Sequence, residues 1–251
     1  MSKIPQITLL FWIMKICATT LGETAGDLLS MTLNVGYGAS SLILIGIFLA
    51  TLIIQLVSKS YHPILYWTVI LSTSTAGTTI SDYMDRTLGL GYAKGSLILV
   101  TILVAIFMFW KYRFGTLSVT NINTLPLEIL YWTAILFSNT LGTALGDFLA
   151  DSSGLGFAGG ALLIASLLGL ILAANYFTEI SKVALFWMAF VLTRPFGATL
   201  GDVLTKTHEK GGLGYGTIGS SIVLLSILVA CILFTTLQQR GITATKIADN
   251  E

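Results

Sequence analysis

Residues 11–27, FWIMKICATTLGETAGD, decide the fold because they return three times, as Tyr66–Asp82, Tyr131–Asp147 and Phe186–Asp202. Each copy opens on an aromatic pair whose second member is Trp12, Trp67, Trp132 or Trp187. Ten residues on stands Gly22, Gly77, Gly142 or Gly197, and four further on Gly26, Ser81, Gly146 or Gly201. Fifteen residues after each tryptophan comes Asp27, Asp82, Asp147 or Asp202. Each copy then reaches a glycine–aromatic turn at Gly36-Tyr37, Gly91-Tyr92, Gly156-Phe157 or Gly214-Tyr215, the last delayed by three residues around His208–Lys210.

After each turn follows a second apolar run: Ser41–Val57, Ser96–Trp110, Ala161–Ala174 and Ser221–Leu237. About 20 residues cross a hydrocarbon core, and every run with its flanks comes near that length. The expected fold is therefore an all-α integral membrane protein of eight transmembrane helices. They form a single membrane domain over 1–251, with repeats at 7–58, 63–111, 126–177 and 182–238. The tryptophans are spaced 55, 65 and 55 residues apart, so a longer linker near 111–126 joins two pairs of repeats, as a duplicated duplication would leave them. Each repeat has an even number of crossings, so all four are parallel, around a pseudo-symmetry axis along the membrane normal.

Composition agrees: 55% of residues are hydrophobic and 10% charged, against about a quarter charged in a soluble domain. A net charge of +1 suggests no nucleic-acid partner, and Cys17 and Cys231 form neither a CxxC pair nor a disulfide framework. The run Ile7–Leu21 is not a signal peptide, since Lys15 interrupts it and later segments repeat it. Lys3, Lys59, Lys111, Arg113, Lys182, Arg240 and Lys246 lie at the termini and between repeats, whereas loops inside repeats hold Arg86, Lys94, Lys206 and Lys210. Positive charge stays inside, so both termini are expected in the cytoplasm.

On the first helix of each repeat, the tryptophans suit an interfacial aromatic belt and the small residues a helix-packing face. Thr20, Thr24 and Asp27 share a stripe at i, i+4 and i+7, and Thr75, Thr79 and Asp82 repeat it. Thr140, Thr143 and Asp147 come close, and Thr199 with Asp202 keeps the lower half, Pro195 replacing the upper threonine. A carboxylate facing lipid is costly, so the four aspartates must face inward, into a bundle interior or a wet cavity, about 22 Å from the tryptophans at 1.5 Å per residue. Lys15, Glu23 and Arg194 break the fourfold pattern, and Arg194 can neutralise Glu23 or one of the aspartates. An oxygen-only set of Asp27, Asp82, Asp147 and Asp202 with Glu23, Thr24, Thr79, Thr143 and Thr199 suits a hard cation. The same aspartates can instead be structural, capping helix ends or bonding the turns.

Gly214–Gly219 matches GxGxxG, but no strand precedes it, and Val35-Gly36-Tyr37-Gly38 lacks the pore helix of a potassium filter. His62 and His208 are lone, and no nucleophile–base arrangement is recognisable, so neither an enzyme nor a cofactor is expected.

The four Trp-x14-Asp units resemble a bacterial membrane family of four tandem two-helix repeats of unknown function, each with a characteristic tryptophan. The resemblance covers about Ile7 to Leu237 and implies eight helices in a bacterial inner membrane, with no activity attached. From the residues themselves the expectation is a transporter for a hard cation: a divalent metal such as manganese or magnesium, or a proton-coupled monovalent ion. The alternatives are a non-catalytic scaffold or sensor, and a passive cation channel. Expected partners are the bilayer, the cation or proton and, as one option, further copies of the chain.

Overall fold

The computed structural model describes residues 3–120, 122 and 124–248, the side chains of 239–248 excepted; those of Arg240 and Lys246 thus lie outside the described residues. Every repeat folds into two helices because each apolar run ends where a glycine can reverse the chain. Gly36, Gly91, Gly156 and Gly214 hold φ of 81°, 72°, 68° and 71°, a region open to glycine without a Cβ clash. The first helices are α1 (Leu9–Asp27), α3 (Pro63–Asp82), α5 (Leu125–Asp147) and α7 (Lys182–Thr205). The second helices are α2 (Tyr37–Val57), α4 (Tyr92–Phe114), α6 (Gly156–Phe177) and α8 (Gly216–Ala248). Helices α2, α4, α6, α7 and α8 contain spans long and apolar enough to cross a membrane.

Between aspartate and glycine the chain makes one wide turn with i→i−5 hydrogen bonds, Leu33 N to Leu28 O at 2.8 Å, Leu88 N to Tyr83 O at 2.9 Å and Ser153 N to Phe148 O at 3.0 Å. Turns of this kind often mark functional positions in helices. In the fourth repeat the three extra residues form a short helical turn, His208–Lys210, instead.

The first helices pack in a closed ring, α1 on α3, α3 on α5, α5 on α7 and α7 on α1. Each second helix packs outside the ring on the next repeat's first helix: α2 on α3, α4 on α5, α6 on α7 and α8 on α1. The seams rest on the small residues. A Cβ on Gly22, Gly77, Gly142 or Gly197 would lie 2.5, 3.0, 2.5 or 2.7 Å from the Cβ of Ser74, Asn139, Arg194 or Thr19. These four partners all stand seven residues after their tryptophan, so one contact recurs around the ring. Close backbone approach of this kind strengthens helix packing where the surroundings are apolar.

The tryptophans depart from the expected belt. Trp67, Trp132 and Trp187 are 1%, 1% and 4% exposed, too little to sit facing an interface. The aromatic residue before each tryptophan packs on the tryptophan of the neighbouring repeat: Phe11 on Trp67 (5.6 Å between centroids), Tyr66 on Trp132 (5.5 Å), Tyr131 on Trp187 (6.3 Å) and Phe186 on Trp12 (5.8 Å). The hydroxyls of Tyr66 and Tyr131 meet at 2.7 Å. This aromatic layer fills the tryptophan end of the ring.

Candidate functional site

From the tryptophan end to the aspartate end, the inner helices carry successive rings of side chains four residues apart, a spacing that keeps neighbouring rings on one side of each helix. The first ring is Lys15, Ile70, Ile135 and Phe190; the next is Thr19, Ser74, Asn139 and Arg194; the next is Glu23, Thr78, Thr143 and Ala198; the last is the four aspartates. Every member of these rings whose side chain is charged is buried.

Arg194 settles against Glu23. Its Nη2 lies 2.9 Å from Glu23 Oε2, 2.6 Å from Thr78 Oγ1 and 2.7 Å from Thr143 Oγ1. The Thr78 and Thr143 hydroxyls each stand 3.3 Å from the same Glu23 oxygen. Four inner helices therefore meet on one ion pair, and Arg194 Nη1 also reaches the Thr19 carbonyl of α1 at 3.5 Å. A buried pair this well bonded is costly to break by removing one partner.

The aspartates converge too, but each already has a cation. Arg86 bridges Asp82 and Asp147, at 3.0 Å to each, and Lys206 bridges Asp202 at 3.0 Å and Asp27 at 3.1 Å. Each cation stands nineteen residues after its tryptophan, where the first and third repeats carry Met31 and Asp151. Four carboxylates are thus served by two cations, each joining its own aspartate to that of the next repeat. Burial alone would lower the Lys206 ammonium, but Asp202 and Asp27 beside it hold it above the ordinary lysine range. The Tyr37 hydroxyl accepts from Arg86 at 3.1 Å. Oxygens of Glu23, Asp147 and Asp202 lie within 4.8 Å of one another, so the Glu23 and aspartate rings form one polar cluster.

Of the threonines read with the aspartates, Thr143 joins the cluster through Glu23. Thr24 accepts from Ser221 of α8 at 2.8 Å and donates to Leu21 O, Thr79 donates to Ala76 O, and Thr199 to Pro195 O. These three serve outer-helix packing or their own helix, because a residue three before an aspartate is rotated about 60° from it, to the opposite side from the residues four before that line the interior.

Arg86, Lys206 and Thr78 were not among the residues expected at the site, whereas Lys15 had stood out as a charge that breaks the fourfold pattern. For the two bridging cations a signal existed: Asp82–Arg86 and Asp202–Lys206 are i, i+4 pairs, neighbours on a helix surface. Lys15 is fully buried, with its Nζ 3.5 Å from Asn139 Oδ1 and 4.1 Å from the Phe190 ring centre.

Together, five carboxylates face four cations in this interior: Glu23 and the four aspartates against Lys15, Arg86, Arg194 and Lys206. A model described as a Repeat of Unknown Function (DUF347) matches residues 10–61, 65–116, 130–181 and 185–240. No curated protein and no solved structure matches the chain.

Proposed function

This chain belongs to the DUF347 repeat family, and we propose that its four repeats form a membrane carrier for a hard cation. In this reading all eight helices cross a bacterial inner membrane, as parallel repeats about an axis along the membrane normal, with both termini and the tryptophan end cytoplasmic. The observation that carries it is the pairing of four buried aspartates by two cations that are themselves partly exposed. Arg86 and Lys206 are 30% and 21% exposed at their side chains, against 2–6% for the carboxylates they bridge.

A carboxylate pair in a low-dielectric interior needs positive charge beside it. A tethered ammonium or guanidinium supplies one charge to two carboxylates; a divalent cation supplies two. When Lys206 swings toward water, Asp27 and Asp202 become an oxygen site of the kind magnesium and manganese take. The same holds for Asp82 and Asp147 when Arg86 leaves. The tethered cations then act as internal counter-ions that close the site when it is empty. Arg194 and the aromatic layer fill the axis on the other side, which favours a carrier open toward one end over a passive channel.

A second reading has its own observation. Each bridge spans a seam between neighbouring inner helices, as a purely structural clamp would. Proteoliposomes loaded with a divalent-sensitive dye separate the two. Uptake of manganese or magnesium that is lost in Asp82→Asn, with the variant still folded, supports the carrier; no uptake of any cation by the folded wild type leaves the scaffold.

A further inference from the structure

The four seams of the ring are built alike but not filled alike. At the tryptophan end α4, which packs on α5, also leans across to α7, where Phe107 and Trp110 pack on Trp187 with centroids 4.7 and 5.5 Å away. The same repeat positions on α6, forty and forty-three residues after the tryptophan, are Leu172 and Asn175. Asparagine cannot replace the volume of an indole, and a groove of about 620 Å³ opens there between α1, α6, α7 and the central linker. Trp12 lines it and is half-buried, whereas its three counterparts are buried.

The walls are apolar, with Leu168, Leu172 and Phe186, while exposed Thr120 and Lys182 also border the groove. Lys182 donates to the Asn175 carbonyl, and among the described residues no carboxylate pairs with it. The volume falls in the range of about 300–1,000 Å³ typical of ligand sites. We infer that this groove holds one anionic phospholipid of the surrounding bilayer, its acyl chain against Trp12 and its phosphate at Lys182. The lipid takes the place of the side chain that α6 lacks, and the ammonium selects its charge. This requires that the chain lie in a bilayer, and is independent of cation transport.

Brominated acyl chains quench tryptophan on contact, so the full chain is reconstituted in phosphatidylcholine vesicles containing a minor share of brominated phosphatidylglycerol or of brominated phosphatidylcholine. The Trp12 contribution is the difference between wild type and Trp12→Phe. The expected result is stronger Trp12 quenching by the anionic lipid, a preference lost in Lys182→Gln, and loss of Trp12 quenching by both lipids in Asn175→Phe. Equal quenching by the two lipids in the wild type, or a preference that survives Lys182→Gln, overturns the headgroup site. Quenching that persists in Asn175→Phe overturns its location. Lys182 is exposed, so its variant leaves packing intact, and none of these readouts depends on whether cations are carried.

Discussion

Replacing Lys206 with glutamine removes the positive charge that Asp27 and Asp202 share at 3.1 and 3.0 Å. Losing one partner of a fully buried pair costs about 3–5 kcal/mol, and of an exposed pair about 0–1 kcal/mol. Lys206 is 21% exposed and its two carboxylates are 6% and 4% exposed, which places the loss between these limits. About 2–3 kcal/mol follows. A chain of this size melts about 2–4 °C lower per kcal/mol, so the midpoint drops by roughly 4–12 °C. If the carboxylates exchange cations, the vacated pair binds a divalent ion better than the wild type does. A ligand at a hundred times its Kd returns about 2.7 kcal/mol, close to the whole loss. The assay is thermal unfolding of detergent-purified wild type and Lys206→Gln in magnesium, manganese and calcium series. The variant should start lower and regain its midpoint with one of these ions at concentrations that leave the wild type unmoved. Adding Asp27→Asn should weaken that rescue. An early-melting variant that no divalent cation restores would refute the exchange mechanism.

Arg194→Met strands Glu23 among the Thr78 and Thr143 hydroxyls and should cost about 3–5 kcal/mol, while Glu23→Gln/Arg194→Met should recover most of it, both read by thermal unfolding. Gly142→Ala places a Cβ 2.3 Å from Arg194 Cγ and should lose about 1–3 kcal/mol. Gly46→Ala meets nothing within 4 Å and should be neutral or gain up to about 1 kcal/mol in the same measurement. Trp110→Ala empties the filled counterpart of the α6 groove and should cost about 3–5 kcal/mol, seen as a lower melting midpoint. With both termini cytoplasmic, single cysteines at Lys59 and at Ser153, in an otherwise cysteine-free chain, should react with an impermeant thiol reagent from opposite faces of sealed vesicles.

Much of the architecture was legible because a repeat reports the same constraint four times. The recurring tryptophan, glycine and aspartate positions marked the four units, and the glycine–aromatic turns marked where each chain reversal falls. The pairing of Arg194 with Glu23 was one of two options open from charge alone. The tryptophans were misjudged: an aromatic beside a helix end suits an interface, yet here each meets an aromatic residue of the neighbouring repeat, which draws three of them into the ring. Thr24, Thr79 and Thr199 looked like partners of the aspartates because i, i+3 residues are loosely on one side of a helix, but in a tight ring that angular offset turns them to the outer helices or their own backbone.

By itself the sequence determined the apolar class of the chain, its four two-helix units, and that one face of each inner helix buries its aspartate, since a carboxylate facing lipid is costly. Tertiary structure alone decided what those faces meet. Half of each bridge, Asp82–Arg86 or Asp202–Lys206, is local and follows from spacing; the other half, to Asp147 or Asp27, exists only because the inner helices close in cyclic order. The glycine and aspartate positions that recur on the inner helices carry no local mark of which neighbour each will touch. In the folded ring glycine admits the next helix at every seam, tryptophan fills one corner, and asparagine leaves another open.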